Sequence, residues 1–419
     1  MLLLAFTSKK HLNVLLLGLS TLLSLICLEI SLRYLAPPVL LGVGTEHTSK
    51  AALYGWALPP NTRMQFVNPD NGKLSYFTTN SQGWKDVEHP IQKPDGMFRI
   101  LCIGDSNTYG VVPLEDLYTR KLEQLLQDHG MQNVEVISIG LGGWGTDQAL
   151  EALLTEGMLY EPDIVIYQFC GNDVIDNLSP YEFTPPDAVH WKKPFTYELR
   201  KGTLIKQMRD RPQTSQPVWE EMERVIRKSA VIHNFKRVKQ QLDWFQEPSE
   251  PEHRDQIAYE ALKTTHFWEQ YPFDPTSPYF KYHAGEASPE LQDAWALLEA
   301  LLIRMKTIVE QHNATFIVFS EESDEGKRRW NLHWERIATS GNADFIVWKG
   351  NTYLIDWKRP LKELEKICRT RGIPLIKPQR IYERYEYDPH PNAIGNLRMA
   401  EDMKEFLVDF LAGKESLSS

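Results

Sequence analysis

Where its apolar runs stop, this 419-residue chain carries a serine, an asparagine, a glycine pair and a histidine beside carboxylates. The serine lies in residues 98–110, FRILCIGDSNTYG. The run from Ile100 to Ile103 breaks at Gly104-Asp105-Ser106, so a buried strand ending there presents the Ser106 hydroxyl at the carboxyl edge of a sheet. Open α/β sheets hold their ligands at that edge. Leu117, Leu122, Leu125 and Leu126 then recur at helical spacing, which puts Ser106 on a strand-to-helix turn. Such a turn offers a reactive side chain and helix N–H groups together. After a second apolar run comes GLGGWGT at residues 140–146. A third is followed by Gly171-Asn172-Asp173, and DPHPN at residues 388–392 precedes the last amphipathic stretch. Together these supply a nucleophile, a base with a nearby acid, and donors for a developing oxyanion, which is what acyl transfer through a hydroxyl requires.

The elements that must position these residues alternate. Apolar runs predict strands at 99–103, 134–139, 163–169, 315–319 and 373–376. Helical spacing predicts helices at 114–129, 146–156, 290–312, 360–371 and 393–411. Strands alternating with helices argue for a parallel sheet covered on both faces, an α/β fold. Residues 54–95, rich in Asn, Pro and Gly with an extended piece at 74–78, read as an irregular β-containing lead-in. Two insertions interrupt the alternation. The long one, residues 178–289, carries a helical piece at 218–245; the short one, 323–357, carries Lys327-Arg328-Arg329 and a hairpin at 345–355. Insertions at the carboxyl ends of strands build substrate surfaces. The long one is therefore expected to cover the site and to set substrate range.

Ahead of all this, residues 14–28, VLLLGLSTLLSLICL, hold no charge. Extended to Leu32, the run approaches the ~20 residues that cross a bilayer. Lys9 and Lys10 precede it and no small-residue cleavage site follows, so an uncleaved transmembrane helix is expected, with the N-terminus cytoplasmic and the remainder outside. Three segments result: an anchor at 1–35, a linker and lead-in at 36–97, and the main domain at 98–412. A net charge of −10 gives no electrostatic footprint for nucleic acid,. Cys27, Cys102, Cys170 and Cys368 lack metal-ligand spacing and form no disulfide framework. His190, His233, His266 and His283 are likewise scattered, so no metal and no cofactor is assigned. Asp147 and Gln148 read as a helix cap and surface, Asp176 and Asn177 as a turn or site lining, and Trp144 as a packing or substrate contact.

In their order the four blocks resemble the SGNH/GDSL hydrolase family: Gly-Asp-Ser, a glycine after strand two, Asn-Asp after strand three, and an Asp/His block before the final helix. Thr79-Asn80-Ser81-Gln82-Gly83-Trp84 is also similar to the segment preceding Gly-Asp-Ser in membrane-anchored bacterial members. The resemblance spans about residues 98–412 without the insertions. It implies a three-layer α/β/α, flavodoxin-like fold, with Ser106 as nucleophile, His390 as base and Asp388 as the acid that orients it. The oxyanion would be held by the N–H groups of Ser106 and Gly143 and by the Asn172 amide, while Asp105 braces the turn and Asp173 anchors the third block. Two positions depart from the family pattern. The acid usually stands three residues before the histidine, where this chain has Tyr387, so Asp388 and the alternative Glu386 both stay open. Cys170 occupies the position where the third block commonly has its first glycine.

The expectation is a membrane-anchored, extracytoplasmic serine esterase that acts on an O-acyl ester, O-acetyl included, of a cell-envelope glycan, a lipid or a small molecule. The same residues would also serve an O-acyltransferase that passes the acyl group to a polysaccharide. A degenerate glycan-binding or scaffolding domain is the third reading.

Overall fold

The computed structural model describes residues 9–35, 40–41, 50–178, 193–208, 288–322, 337–340, 343–348, 351–385, 388 and 390–418. The helical piece expected at 218–245, the basic triplet at 327–329, the four insertion histidines and most of the expected cover over the site lie outside these residues. The chain divides into two compact units: Met1–Leu40 with Pro212–Arg254, and Leu41–Arg211 with Asp255–Ser419.

In the first unit the described element is a 27-residue helix, α1 (Lys9–Leu35). Its apolar residues are exposed, Leu17 at 67% and Ile30 at 62% among them. The side chains at its two ends lie outside the described set, and among the described residues no helix is long and apolar enough to cross a membrane. The expected anchor thus has its helix, but a membrane span is not supported.

The second unit contains every other described element. In chain order its strands are β1 (Leu40–Leu41, at the boundary), β2 (Arg63–Val67), β3 (Leu74–Thr78), β4 (Phe98–Gly104), β5 (Val134–Gly140), β6 (Ile164–Phe169), β7 (Phe195–Arg200), β8 (Thr203–Met208), β9 (Thr315–Ser320), β10 (Ile337–Ser340), β11 (Ala343–Trp348), β12 (Asn351–Ile355) and β13 (Leu375–Ile376). Its helices are α2 (Ala51–Tyr54), α3 (Ser106–Tyr109), α4 (Tyr118–Asp128), α5 (Thr146–Thr155), α6 (Asp173–Asp176), α7 (Pro289–Gln311), α8 (Arg359–Arg371) and α9 (Ala393–Ser418).

Five strands form a wholly parallel sheet in the order β13-β9-β6-β4-β5. Counted along the chain this is 2-1-3-4-5, the flavodoxin-like order, whose switch point falls between β4 and β6. β4, β5 and β6 are buried almost throughout, as near-continuous apolar runs in a parallel sheet should be,. Alternate residues face opposite layers. Ile100 and Cys102 join α4 and α9 in a core with Leu122, Leu126, Met399, Met403 and Leu407. Helices α5 and α7 pack together; Leu101 lies on the side of Leu153, where both crowd Gly157. The hairpin expected at 345–355 is present as β11 and β12, antiparallel, with β10 added at its edge.

The lead-in is bound tightly to the sheet. Asp86 accepts from Ser138 N at 2.7 Å and pairs with Arg120 of α4 at 3.2 Å. Lys85 is fully buried; its Nζ donates to Gly110 O and Val112 O at 2.8 and 2.6 Å, among the rings of Phe66, Phe77 and Tyr109. Burial pushes its ammonium down to about 7,. These bonds fix the loop that follows α3, and so the turn that carries Ser106.

Candidate active site

The turn after β4 is shaped before any substrate arrives. Asp105 caps α3, its carboxylate accepting from Asn107 N at 2.9 Å. Ser106 opens the helix and is half-buried, its hydroxyl 3.5 Å from Asp105 Oδ2, at the outer limit of a hydrogen bond,. Gly104 is required by close approach: a β carbon there would lie 2.5 Å from Thr108 Oγ1 and 2.6 Å from Gln168 Oε1. Any side chain would push the turn off the strand end.

After β5 the chain makes a β-turn over Leu141–Gly142–Gly143–Trp144, closed by Trp144 N donating to Leu141 O at 3.3 Å. Gly143 has φ +74°, a left-handed value that favours glycine,. The turn lies against the nucleophile, since a β carbon built on Gly142 would sit 4.0 Å from Ser106 Cβ. Trp144 is a packing residue: it is fully buried, with its ring 5.2 Å from Tyr54 and 5.8 Å from Trp84.

After β6, Asn172 precedes the short α6 and is half-buried; its Nδ2 donates to Asp176 Oδ2 at 2.7 Å. An amide nitrogen carries two hydrogens, so this bond orients the group and leaves its second hydrogen for another acceptor. Asp173 accepts from Tyr167 Oη at 2.6 Å and from Cys170 N at 2.9 Å, which anchors the third block on its strand. Burial pushes the Asp176 carboxyl up to about 7 and the Asp105 carboxyl to about 6,.

The base comes from a loop closed on itself. Arg384 and Pro391 form an antiparallel bridge, and Tyr385 N donates to His390 O at 3.2 Å. Within it, Asp388 Oδ1 accepts twice from the same residue: the backbone N of His390 at 2.9 Å and its ring Nδ1 at 2.5 Å. The first bond is an Asx turn, in which an Asp side chain caps the backbone two residues on. That turn explains how an acid at two-residue spacing reaches the ring. Glu386 and Tyr387 lie outside the described residues. Burial works against the imidazolium, but the Asp388 carboxylate and then Asp105 outweigh it, so the pKa of His390 is raised. Burial also opposes Asp388 ionisation and His390 overcomes it, so that carboxyl is held low. Because Asp105 acts on His390, on Asp173 and on Asp176, the Gly-Asp-Ser turn is the electrostatic meeting point of the blocks.

Several residues at the site carried no sequence signal. Asp147 is fully buried and bound to Lys193, whose Nζ donates to both its carboxylate oxygens at 2.9 Å and to Asp176 O at 2.6 Å. Gln148 is buried as well, its Oε1 accepting from Gly145 N at 3.2 Å and its Nε2 donating to Tyr54 O. The two were expected as a helix cap and surface; Gln148 does bond the backbone N–H just ahead of α5, but neither residue is exposed. Their partners lie 46 and 94 residues away, beyond any local pattern. Cys170, Glu321 and Glu322 bring candidate metal-ligand atoms together. Glu321, however, is paired with Arg384, and Glu322 accepts from Gly171 N at 2.7 Å, so the cluster reads as a brace between β9, the third block and the base loop.

A parallel sheet of this order, with serine on the turn after its first strand and a histidine–carboxylate pair on the loop before the last helix, is the layout of an α/β ester hydrolase. A family model described as GDSL-like lipase/acylhydrolase matches residues 102–336, more than half of the chain. The chain belongs to that family and is an ester-hydrolysing enzyme. Among solved structures, it is similar to a lipase/acylhydrolase from Enterococcus faecalis, at 11% identity over 74% of this chain and 95% of that one, with a TM-score of 0.34. A family 3 carbohydrate esterase from Clostridium thermocellum is similar at 11% identity, over 76% and 98% of the two chains, with a TM-score of 0.36. A carbohydrate acetylesterase family member from Sinorhizobium meliloti is similar at 11% identity, over 75% and 100%, with a TM-score of 0.30. Comparison with curated protein sequences finds no significant match.

Proposed function

We propose that the protein is a membrane-anchored, extracytoplasmic serine esterase that removes O-acyl groups, O-acetyl among them, from a cell-envelope glycan or lipid. The observation that carries the catalytic reading is Asp388 Oδ1 holding both the backbone and Nδ1 of His390. With Nδ1 committed as a donor, Nε2 is the ring atom left to accept a proton. Ser106 Oγ attacks the ester carbonyl and its proton passes to Nε2. The oxyanion accepts from the N–H groups of Ser106 and Gly143 and from the Asn172 amide. The alcohol leaves with the proton from His390, and an acyl-enzyme remains. Water then attacks that ester, giving its proton to His390, and the carboxylate departs with Ser106 restored.

The location rests on α1. Its exposed leucines suit lipid, a 27-residue helix is about 40 Å long,, and Lys9 and Lys10 precede the apolar run as they do on a cytoplasmic side. An enzyme held there meets envelope glycans and lipids first.

The test is hydrolysis of a panel of acyl esters and O-acetylated glycans by the full chain in detergent, wild type against Ser106→Ala. Release of free acetate by the wild type alone is expected. Acetylated acceptor glycan with little free acetate would replace hydrolysis by transfer. Failure of a serine-directed phosphonate to label Ser106 in folded protein would overturn the catalytic reading. Flotation with vesicles, lost on deleting α1, tests the anchor separately.

A further inference from the structure

The peptide between Gly142 and Gly143 is held from outside the family-matched region. Trp56, fully buried in the lead-in, donates its indole Nε1–H to Gly142 O at 2.9 Å. That carbonyl belongs to the central peptide of the Leu141–Trp144 turn. Type I and type II turns differ by rotation of this peptide through about 180°. The φ of +74° at Gly143, the third residue of the turn, is the type II value. With glycine at both central positions, no side chain opposes the rotation.

In a planar trans peptide the carbonyl and the next N–H point in opposite directions. A bond that fixes Gly142 O therefore fixes the direction of Gly143 N–H, turning it away from Trp56. A β carbon built on Gly142 would sit 4.0 Å from Ser106 Cβ, so this turn borders the nucleophile. The alternative turn would reverse both groups. Gly143 N–H would then face the Trp56 indole, a donor against a donor, and the carbonyl oxygen would face the developing oxyanion.

We infer that Trp56 is a positioning residue for the reaction: its indole N–H selects the turn in which Gly143 N–H faces the reacting carbonyl, so the lead-in completes the oxyanion hole. The surroundings support this role. The same segment also grips the turn and the helix after it, Tyr54 packing on Trp144 and Tyr54 O accepting from Gln148 Nε2 of α5 at 2.6 Å. Trp56 can thus lose its hydrogen bond without the segment leaving the turn. The inference rests on the serine-esterase reading above and adds a residue that touches neither substrate nor reacting atoms.

The experiment uses the full chain with Trp56 replaced by its benzothiophene isostere, which keeps the shape and removes the donor, alongside Trp56→Phe. Rates are read on p-nitrophenyl acetate and affinity on phenylboronate, whose tetrahedral adduct with serine places an oxygen in the oxyanion hole. The isostere is expected to lower kcat about tenfold, the worth of one buried hydrogen bond, with KM within about twofold. Boronate affinity should fall by the same factor, and the melting temperature should fall by no more than the few degrees that one buried hydrogen bond supports. A crystal structure of the isostere variant should show the Gly142–Gly143 peptide rotated in part or all of the molecules. Unchanged kcat and boronate affinity in the isostere, with an active wild type and an inactive Ser106→Ala, would overturn the inference and leave the esterase reading standing. An inactive wild type that binds no boronate would remove both.

Discussion

The two halves of the site are held by different means. Ser106, Gly143 and Asn172 follow three neighbouring strands, β4, β5 and β6, so their spacing comes from sheet geometry and is locked by a buried network: Asp173 on Tyr167, Lys193 on Asp147, Asp176 on Asn172. His390 and Asp388 share one loop, and the bond that aligns them is made within two residues. The first half depends on the whole fold; the second depends on a local turn. Substitutions among the groups that hold each half in place should therefore fail differently: those in the buried strand-end network should disturb stability together with rate, and those in the base loop should disturb chiefly rate and its pH dependence.

The largest effect is expected at the nucleophile. Ser106→Ala should lower kcat about 10⁴–10⁶-fold, as loss of the serine does in serine hydrolases. Ser106 is half-buried, and among the described residues its hydroxyl makes a single 3.5 Å hydrogen bond, so thermal melting should stay within a degree or two of wild type. A large drop in melting temperature would mean that the hydroxyl is itself part of the network that holds this half.

Asp388→Asn comes next, at about 10²–10⁴-fold in kcat. The pH profile carries the sharper test. His390 acts as a base only when neutral, so kcat/KM rises with pH through its pKa. Asp388 raises that pKa against the opposing effect of burial, and the acidic limb of the wild type should therefore lie above the ordinary imidazole value of about 6.5. In Asp388→Asn burial acts without its main counterweight, and the limb should move to lower pH while kcat falls. A limb that stays in place would transfer the role to Glu386.

For the strand half, Lys193→Met is the test of dependence on the fold. It leaves the Asp147 carboxylate buried without its ammonium partner, at a cost of about 3–5 kcal/mol in stability. The double variant Lys193→Met with Asp147→Asn should recover much of that loss in a denaturant titration. If the single variant melts like wild type, the strand-end network is not what holds this half.

How much of this could be read from the chain follows the same division. β4, β5 and β6 were legible within a residue or so because near-continuous apolar runs that stop at or next to a glycine leave little freedom. The expected helix at 114–129 is instead a 3-10 turn, Leu114–Asp116, followed by α4, because Leu117, in an extended conformation, buries itself between them. Ser106, Gly143 and Asn172 could be picked as candidates because each follows a strand. What supports them could not: Asp147 shows nothing locally that separates a buried ion pair from a surface cap, and Trp56 resembles any core tryptophan until its N–H is seen on Gly142. Asp388 was legible as a candidate, but its two-residue spacing makes sense only through the Asx turn.

Asn172 is held by the buried network of the strand half, and its removal should cost less in kcat than loss of the nucleophile. Asn172→Ala takes away one oxyanion donor, worth about 10²–10³ in kcat, and should leave KM nearly unchanged because the charge it stabilises appears only in the transition state. Removing the amide also strips Asp176 of its 2.7 Å donor, and burial already pushes that carboxyl up to about 7. With the donor gone, Asp176 should hold its proton to still higher pH. Wild-type kcat should accordingly lose some activity in acid from Asp176 as well as from His390, and Asn172→Ala should lose only the His390 component. A variant whose profile matches wild type at every pH, merely scaled down, would show that Asp176 orients the amide without tuning it.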